Sequence, residues 1–96
     1  MEDRDYISVL LRVRGLVQGV GYRYWTRSEA LSLALEGYVK NLPDGSVEAL
    51  LCGSRNAVEN MMERMNSGPR SSFVEMFEVV RQSESDSPVK GFQIIR

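Results

Sequence analysis

The stretch ISVLLRVRGLVQGVGYRYWTRSEALSL, Ile7–Leu33, decides the fold. It opens with alternating apolar and polar side chains over Ile7–Val13, the period of a β-strand with one buried face. A glycine-rich turn follows over Gly15–Gly21. From Tyr22 onward apolar residues return at helical spacing, and Gly37 is suited to cap the end of that helix. The sequence therefore predicts a β-strand, a glycine turn and an α-helix.

The next stretch predicts a β-hairpin. NLPDG, Asn41–Gly45, has the composition of a tight turn, because proline presets φ, aspartate bonds to the nearby backbone and glycine accepts a positive φ. Short strands are predicted on both sides of this turn, over Tyr38–Asn41 and Val47–Cys52. We expect these two strands to pair with each other.

A second helix and two further strands complete the chain. Ser54 is a typical N-cap, and Ser67–Pro69 ends the helix because glycine caps it and proline cannot continue it. One stripe of the helix is apolar, which predicts packing on the sheet by Ala57, Val58, Met61, Met62 and Met65. Phe73–Val80 is predicted as a strand with a bulge near Met76, and Phe92–Ile95 as a short closing strand.

The predicted order is β, α, β, β, α, β, with a short β-strand at the end. This is the order of the ferredoxin-like split βαβ arrangement, an α+β sandwich in which two helices cover one face of an antiparallel sheet. A chain of 96 residues has the size of one such domain, so we expect a single domain over residues 1–96. The pattern does not decide which edge of the sheet the closing strand joins.

Composition argues against several classes of protein. Apolar residues at 43% and charged residues at 26% are ordinary for a soluble globular domain. Apolar runs near the N-terminus are too short for a membrane span or a signal peptide, so we expect a cytoplasmic protein without membrane contact. We also expect a monomer. A net charge of −1 provides no broad basic field, which argues against a nucleic-acid partner.

The counts of histidine and cysteine exclude much familiar chemistry. With no histidine in the sequence, neither a histidine-based triad nor a zinc site is expected. The one cysteine, Cys52, cannot form an internal disulfide. It stands in the apolar run VEALLC, so we interpret it as a small buried residue of the sheet.

The topology brings two features to one edge of the sheet. A crossover from the first strand through the first helix to the second strand makes those strands parallel, so their carboxyl ends share an edge. The glycine turn leaves the first strand there, and Asn41 ends the second. With the third strand between them, the two strands stand roughly 10 Å apart, at about 4.8 Å per step. That gap fits a phosphate-sized group and a water.

The glycine turn has the chemistry of an anion site. Its glycines allow successive N–H groups to face one concavity, and the following helix points its own N–H groups there. Arg23 lies at that helix start, where the dipole disfavours a cation unless an anion is bound. Structural roles remain open from the residues alone: glycines that serve only the turn, a solvated Arg23, and Asn41 as a turn former.

Together these residues resemble the acylphosphatase family. The resemblance rests on GLVQGVGYR (Gly15–Arg23), on GYVKNLPDGSVE (Gly37–Glu48) and on GP before a later strand, and it extends from the first strand to the last. Tyr38 stands where the family often has tryptophan. The resemblance implies an enzyme that hydrolyses small acyl phosphates to a carboxylate and inorganic phosphate, without metal or cofactor.

The resemblance also implies site residues. The arginine that ends the first motif, here Arg23, binds the phosphate, and the asparagine before the turn, here Asn41, positions the attacking water. The phosphate cradle is implied to consist of backbone N–H groups of Gln18, Gly19, Val20, Gly21 and Tyr22.

Two other functions fit the same element order. An RNA-recognition module needs aromatic side chains on the central strands, yet the third strand has none and the first has only Tyr6. A regulatory domain could keep the anion nest without turnover. The presence of both Arg23 and Asn41 argues against that second alternative.

Overall fold

The computed structural model describes residues 5–96 of the chain. Within that range there are two α-helices and five β-strands, which in chain order are β1 (Tyr6–Leu16), α1 (Tyr22–Ser32), β2 (Glu36–Asn41), β3 (Val47–Ser54), α2 (Arg55–Ser67), β4 (Phe73–Ser83) and β5 (Phe92–Ile95).

The strands form one sheet in the order β4-β1-β3-β2-β5. β1 pairs antiparallel with β3 and β4, and β2 pairs antiparallel with β3, which confirms the predicted hairpin. The ferredoxin-like α+β fold is thus confirmed. The closing strand β5 lies beside β2 and runs parallel to it, so the sheet as a whole is mixed.

The core lies between the sheet and the two helices. Alternate residues of β1 face it, and α1 packs against β2 and β5 while α2 packs against β1 and β3. The buried apolar residues of this core are Ile7, Val9, Leu11, Val13, Val17, Tyr22, Ala30, Leu35, Val39, Val47, Ala49, Leu51, Val58, Met61, Met65 and Phe92. The opposite face of the sheet carries no helix within residues 5–96.

α2 has the boundaries and the buried stripe that its sequence predicts. Ser54 caps it, since the Ala57 N–H donates to Ser54 Oγ at 3.2 Å, and Gly68 stands at its C-terminal end. Met61 and Met65 are fully buried against the sheet, as core residues. Neither α1, with 11 residues, nor α2, with 13, is long enough to cross a membrane.

The end of α1 differs from the prediction. α1 stops at Ser32, and the Leu35 N–H donates to the Ala30 carbonyl at 3.0 Å, as in a Schellman cap. Ala34 takes the left-handed position of that cap, with φ of 58°. The prediction that Gly37 caps α1 was therefore wrong. Gly37 lies inside β2 instead.

β4 contains two irregularities in its pairing with β1. The register shifts between Arg14 and Gly15 and again between Leu10 and Leu11. Each shift leaves one extra residue on β4, Glu75 at the first and Val80 at the second. The predicted bulge near Met76 corresponds to the first of these.

Candidate active site

The glycine turn and the end of β2 surround a cavity of about 210 Å³. β1 leads into the turn, α1 leaves it, and β3 separates β1 from β2 as the topology requires. The residues that line the cavity come from the turn, the first helical turn and the strand end, and they are Val17, Gly19, Gly21, Tyr22, Arg23, Tyr24 and Asn41.

The turn has a backbone conformation that requires glycine. Gly19 and Gly21 have φ of 76° and 79°, in the left-handed region that other residues rarely adopt. A Cβ at either position would meet no atom within 4 Å, so the constraint is φ and not crowding. None of the four backbone N–H groups from residue 18 to residue 21 donates a hydrogen bond within residues 5–96. The turn therefore offers a row of free donors.

A contact from the chain before β4 orients one peptide of this turn, between Val20 and Gly21. Ser71 Oγ donates to the Val20 carbonyl oxygen at 2.9 Å. In a trans peptide the carbonyl and the next N–H point in opposite directions, so this bond turns the Gly21 N–H away from Ser71. Gly21 itself lines the cavity.

The start of α1 is also free of local partners. Its N-cap is Gly21, no side chain of residues 5–96 accepts a hydrogen bond from the first turn, and that turn contains no acidic residue. α2, by contrast, is capped by Ser54. The N-terminal dipole of α1 therefore adds positive potential at the cavity, and no capping side chain of the described residues offsets it.

Arg23 brings a full positive charge to this place. It is half-buried and lines the cavity, and no carboxylate of the described chain lies within 4.0 Å of it. Other arginines do have partners, since Arg14 pairs with Asp44 at 3.0 Å and Arg64 with Glu29 at 2.8 Å. A guanidinium beside free N–H groups and a helix N-terminus matches the oxygens of a phosphate.

Asn41 is the last residue of β2 and lines the same cavity. Its Oδ1 atom is buried and has no hydrogen-bond partner among residues 5–96. A buried acceptor of this kind is satisfied in most proteins. At the cavity wall it can accept a hydrogen bond from a water molecule.

The turn after Asn41 is held by several contacts. The Leu42 N–H donates to the Ser46 carbonyl at 2.8 Å, and the Ser46 N–H donates to Asp44 Oδ1 at 3.0 Å. The hydrogen bonds from Ser46, together with Arg14, lower the pKa of Asp44 to about 2. Gln18 Nε2 reaches this turn from the glycine turn opposite and donates to Leu42 and Ser46.

The predicted site residues are close in space. Arg23, Asn41 and three residues of the expected cradle, Gly19, Gly21 and Tyr22, line the cavity, while the other two cradle residues lie beside them in the chain. Sequence reasoning missed the Gln18 side chain, Ser71 and Tyr24. Only Tyr24 carried a signal, its place beside Arg23, since the contacts of the other two join segments far apart in sequence.

A second cavity, of about 230 Å³, lies on the helix-free face of the sheet. It is lined by residues such as Leu10, Leu50, Arg81 and Asp86. Cys52 is fully buried beside this face, as predicted, and Ser8 Oγ lies 3.2 Å from its Sγ. In the part of the chain that the structure describes, no three Cys, Asp or Glu side chains are grouped to hold a metal ion.

The protein-family model named acylphosphatase matches residues 9–94 of the chain. The chain belongs to the acylphosphatase family. This confirms the resemblance drawn from the two motifs and the expectation of a hydrolase. An acylphosphatase of Mesorhizobium japonicum is 56% identical over 69 residues, which are 72% of each chain. An acylphosphatase of Vibrio parahaemolyticus is 45% identical over 83 residues, which cover 86% of this chain and 90% of that protein.

Structural comparison gives the same family. The crystal structure of acylphosphatase from Bacillus subtilis superposes with a TM-score of 0.88 at 37% identity, over 94% of this chain and 99% of that one. Several alignments with other acylphosphatases are shorter and span between 58% and 69% of the relative's own length.

Proposed function

We propose that the protein hydrolyses the carboxyl–phosphate bond of small acyl phosphates. The proposal is carried by one observation: three kinds of polar group meet at one cavity, and none of them has a partner within residues 5–96. These groups are the Arg23 guanidinium, the N–H groups of the glycine turn and Asn41 Oδ1. Membership of the acylphosphatase family supports the same reaction.

Phosphate binding is assigned to Arg23 and to the backbone N–H groups from Gln18 to Tyr22. Phosphoryl transfer spreads negative charge over the three equatorial oxygens of the transferring group. Fixed donors around those oxygens stabilise the transition state without reorganisation, and the charged fork of Arg23 is the strongest of them.

The leaving group explains why so few side chains suffice. An acyl phosphate releases a carboxylate, which is a weak base and a good leaving group, so departure needs no general acid. What remains is the placement of phosphate and nucleophile in line with each other. No step of this scheme requires a metal or a cofactor.

We assign to Asn41 the role of positioning the attacking water. An amide has no useful pKa and cannot serve as a base, so its role is positional. Its Oδ1 accepts one hydrogen of the water and directs a lone pair at phosphorus. The other proton passes to a substrate phosphate oxygen, because none of the cavity-lining residues is a carboxylate or a histidine.

The proposal extends to a cytoplasmic monomer of one domain that acts on small molecules, with neither nucleic acid nor membrane as partner. The central strands support the exclusion of RNA. On the helix-free face β3 presents Glu48, Leu50 and Cys52, and the one aromatic of β1, Tyr6, donates its hydroxyl to Glu36 at 2.7 Å.

The decisive test compares phosphate release from acetyl phosphate by the purified protein and by Arg23→Ala. We expect kcat/KM to fall by at least about a thousandfold, because the variant loses a charged donor to the transferring group.

Arg55→Ala is the matched control, since Arg55 stands in the first turn of the other helix and away from the cavity. This control should retain the wild-type kcat/KM. If Arg23→Ala keeps more than about a tenth of the activity, the assignment of Arg23 is wrong. Wild-type protein that binds phosphate but releases none from acetyl phosphate would indicate the regulatory domain instead.

A further inference from the structure

The side chain of Gln18 joins the two walls of the cavity. Its Nε2 atom donates one hydrogen bond to the Leu42 carbonyl at 2.9 Å and another to the Ser46 carbonyl at 2.8 Å. An amide nitrogen has two hydrogens, so both are used. The donor comes from the glycine turn, and both acceptors belong to the turn that follows Asn41.

Both acceptors stand next to the functional part of β2. Leu42 is the residue after Asn41, and Ser46 precedes Val47, which is the ladder partner of Asn41 in β3. The Gln18 amide is therefore hydrogen-bonded to the hairpin immediately beside Asn41, the residue proposed to position the attacking water.

The backbone of the same residue belongs to the opposite wall. The Gln18 N–H is one of the free donors of the glycine turn, and the phosphate cradle is built from that row. Gln18 thus contributes its backbone N–H to the cradle, and its side chain holds the turn that follows Asn41.

Other links between the walls are less direct. The ion pair between Arg14 and Asp44 starts in β1, before the glycine turn, and both of its side chains are more than a third exposed. In the described residues, no other side-chain hydrogen bond joins residues 17–21 to residues 41–46. Beyond the pairing of β1 and β2 with β3, the Gln18 amide is therefore the direct side-chain link between the glycine turn and the hairpin turn within residues 5–96.

We propose that the Gln18 side chain is a positioning residue that holds Asn41, and hence the attacking water, in line with the bound phosphate. This inference rests on the proposed function. A displacement of about 1 Å between reacting groups can lower a rate by about 10²-fold. Loss of the amide should therefore reduce turnover while the cradle still binds phosphate.

The test uses Gln18→Met, which keeps the length of the side chain and removes both donors. We expect kcat for acetyl phosphate to fall roughly 10- to 100-fold, with the inhibition constant of inorganic phosphate changed by less than about twofold. Gln18→Glu should lower kcat more than Gln18→Met does, because it places a carboxylate, which can only accept hydrogen bonds, against two carbonyl oxygens.

A double-mutant cycle separates positioning from a structural role. In the Asn41→Ala background there is no amide left to position, so Gln18→Met should lower kcat by less than about threefold. A structural role would give the same loss in both backgrounds. Gln82→Met, at an exposed glutamine of β4, is the control for the substitution itself and should leave kcat unchanged.

Several outcomes would overturn the inference. Equal losses in the two backgrounds, an unchanged kcat in Gln18→Met, or a phosphate inhibition constant that rises as kcat falls would each contradict it. Urea unfolding checks that the variants are folded, and Gln18→Ala replaces Gln18→Met in the cycle if the latter is not. Wild-type protein without hydrolysis would overturn the proposed function, and this inference with it, whereas an active wild type with a normal Gln18→Met overturns the inference alone.

Discussion

Asn41 Oδ1 is a buried acceptor without a partner among residues 5–96, which ordinarily costs about 1–3 kcal/mol of stability. Proteins retain such atoms where a ligand or a water completes the bond. Because Asn41 lines a cavity also lined by Arg23, this cost is consistent with a position selected for function.

Asn41→Ala should lower kcat for acetyl phosphate by roughly 10²-fold or more, with little change in phosphate affinity, because the water loses its orientation while the cradle stays intact. Steady-state kinetics and phosphate inhibition measure the two quantities. Asn56→Ala, at an exposed asparagine of α2, is the control and should be fully active. Lost phosphate binding with normal turnover would show that the roles are assigned wrongly.

The sequence predicted the places of these residues but not all of their contacts. The motifs and the crossover rule predicted that Arg23 and Asn41 lie at one sheet edge, and both line the same cavity. The Gln18 side chain was not found, since glutamine has no periodicity or turn preference that points to the carbonyls of Leu42 and Ser46. Such contacts depend on three-dimensional distances between segments, which a single sequence does not encode locally.

Among the elements, β2 depends most on a glycine. Gly37 has φ of 133° and lies opposite Leu51 in the ladder. A Cβ at this position would overlap the carbonyl oxygen of Leu50, and it would also approach the Phe92 ring to 3.4 Å. The sequence placed Gly37 at a helix end because glycine is common there, whereas close packing of β2 against β3 and β5 is what requires it.

Gly37→Ala should therefore destabilise the protein strongly. The unfavourable φ alone costs about 1–3 kcal/mol, and the overlap with backbone must be relieved by moving β2 away from β3. Urea unfolding at pH 7 measures the change in the free energy of unfolding.

The matched control for this prediction is Gly91→Ala. Gly91 also has a positive φ, of 66°, but a Cβ added there would meet no atom within 4 Å. It should lose only the conformational part, about 1–2 kcal/mol. Equal destabilisation of the two variants would show that close approach to Leu50 contributes nothing.

The strand order was predictable because two crossovers and a short hairpin leave few arrangements of a βαββαβ chain. The place of β5 was not, since a four-residue strand fits either edge. Two contacts of Phe92 decide its place. The Phe92 side chain is buried in the core beside Gly37, and Arg27 Nε of α1 donates to the Phe92 backbone carbonyl at 2.9 Å. Both contacts fix β5 at the β2 edge.

Across the whole molecule, three tyrosines connect different elements and share one electrostatic property. The Tyr22 hydroxyl donates to the Met65 carbonyl at 2.8 Å, which joins α1 to α2. Burial raises the pKa of Tyr22 well above its ordinary value. Burial and a hydrogen bond to Glu36 raise the pKa of Tyr6 in the same way, and burial and a hydrogen bond to Glu48 raise the pKa of Tyr38 to about 12.

These shifts predict a fall in stability at alkaline pH. A group whose pKa is higher in the folded state stabilises fully below its unfolded pKa, which is about 10 for tyrosine, and the stabilisation is lost as pH rises toward the folded pKa. The free energy of unfolding should therefore decline above about pH 10, and each such tyrosine contributes up to about 1.4 kcal/mol per pH unit.

Tyr22→Phe isolates one of these contributions. At pH 8 the variant should be less stable by about 1 kcal/mol, because the Met65 carbonyl loses its donor. Above pH 10 the difference from wild type should shrink, since phenylalanine has no proton to lose and only the wild type loses the stabilisation that Tyr22 provides. Urea unfolding between pH 8 and about 11.5 gives the two curves.

Tyr24→Phe, at a side chain 61% exposed, is the control and should follow the wild type. Parallel curves for wild type and Tyr22→Phe over the whole range would show that the buried hydroxyl has no part in the alkaline loss.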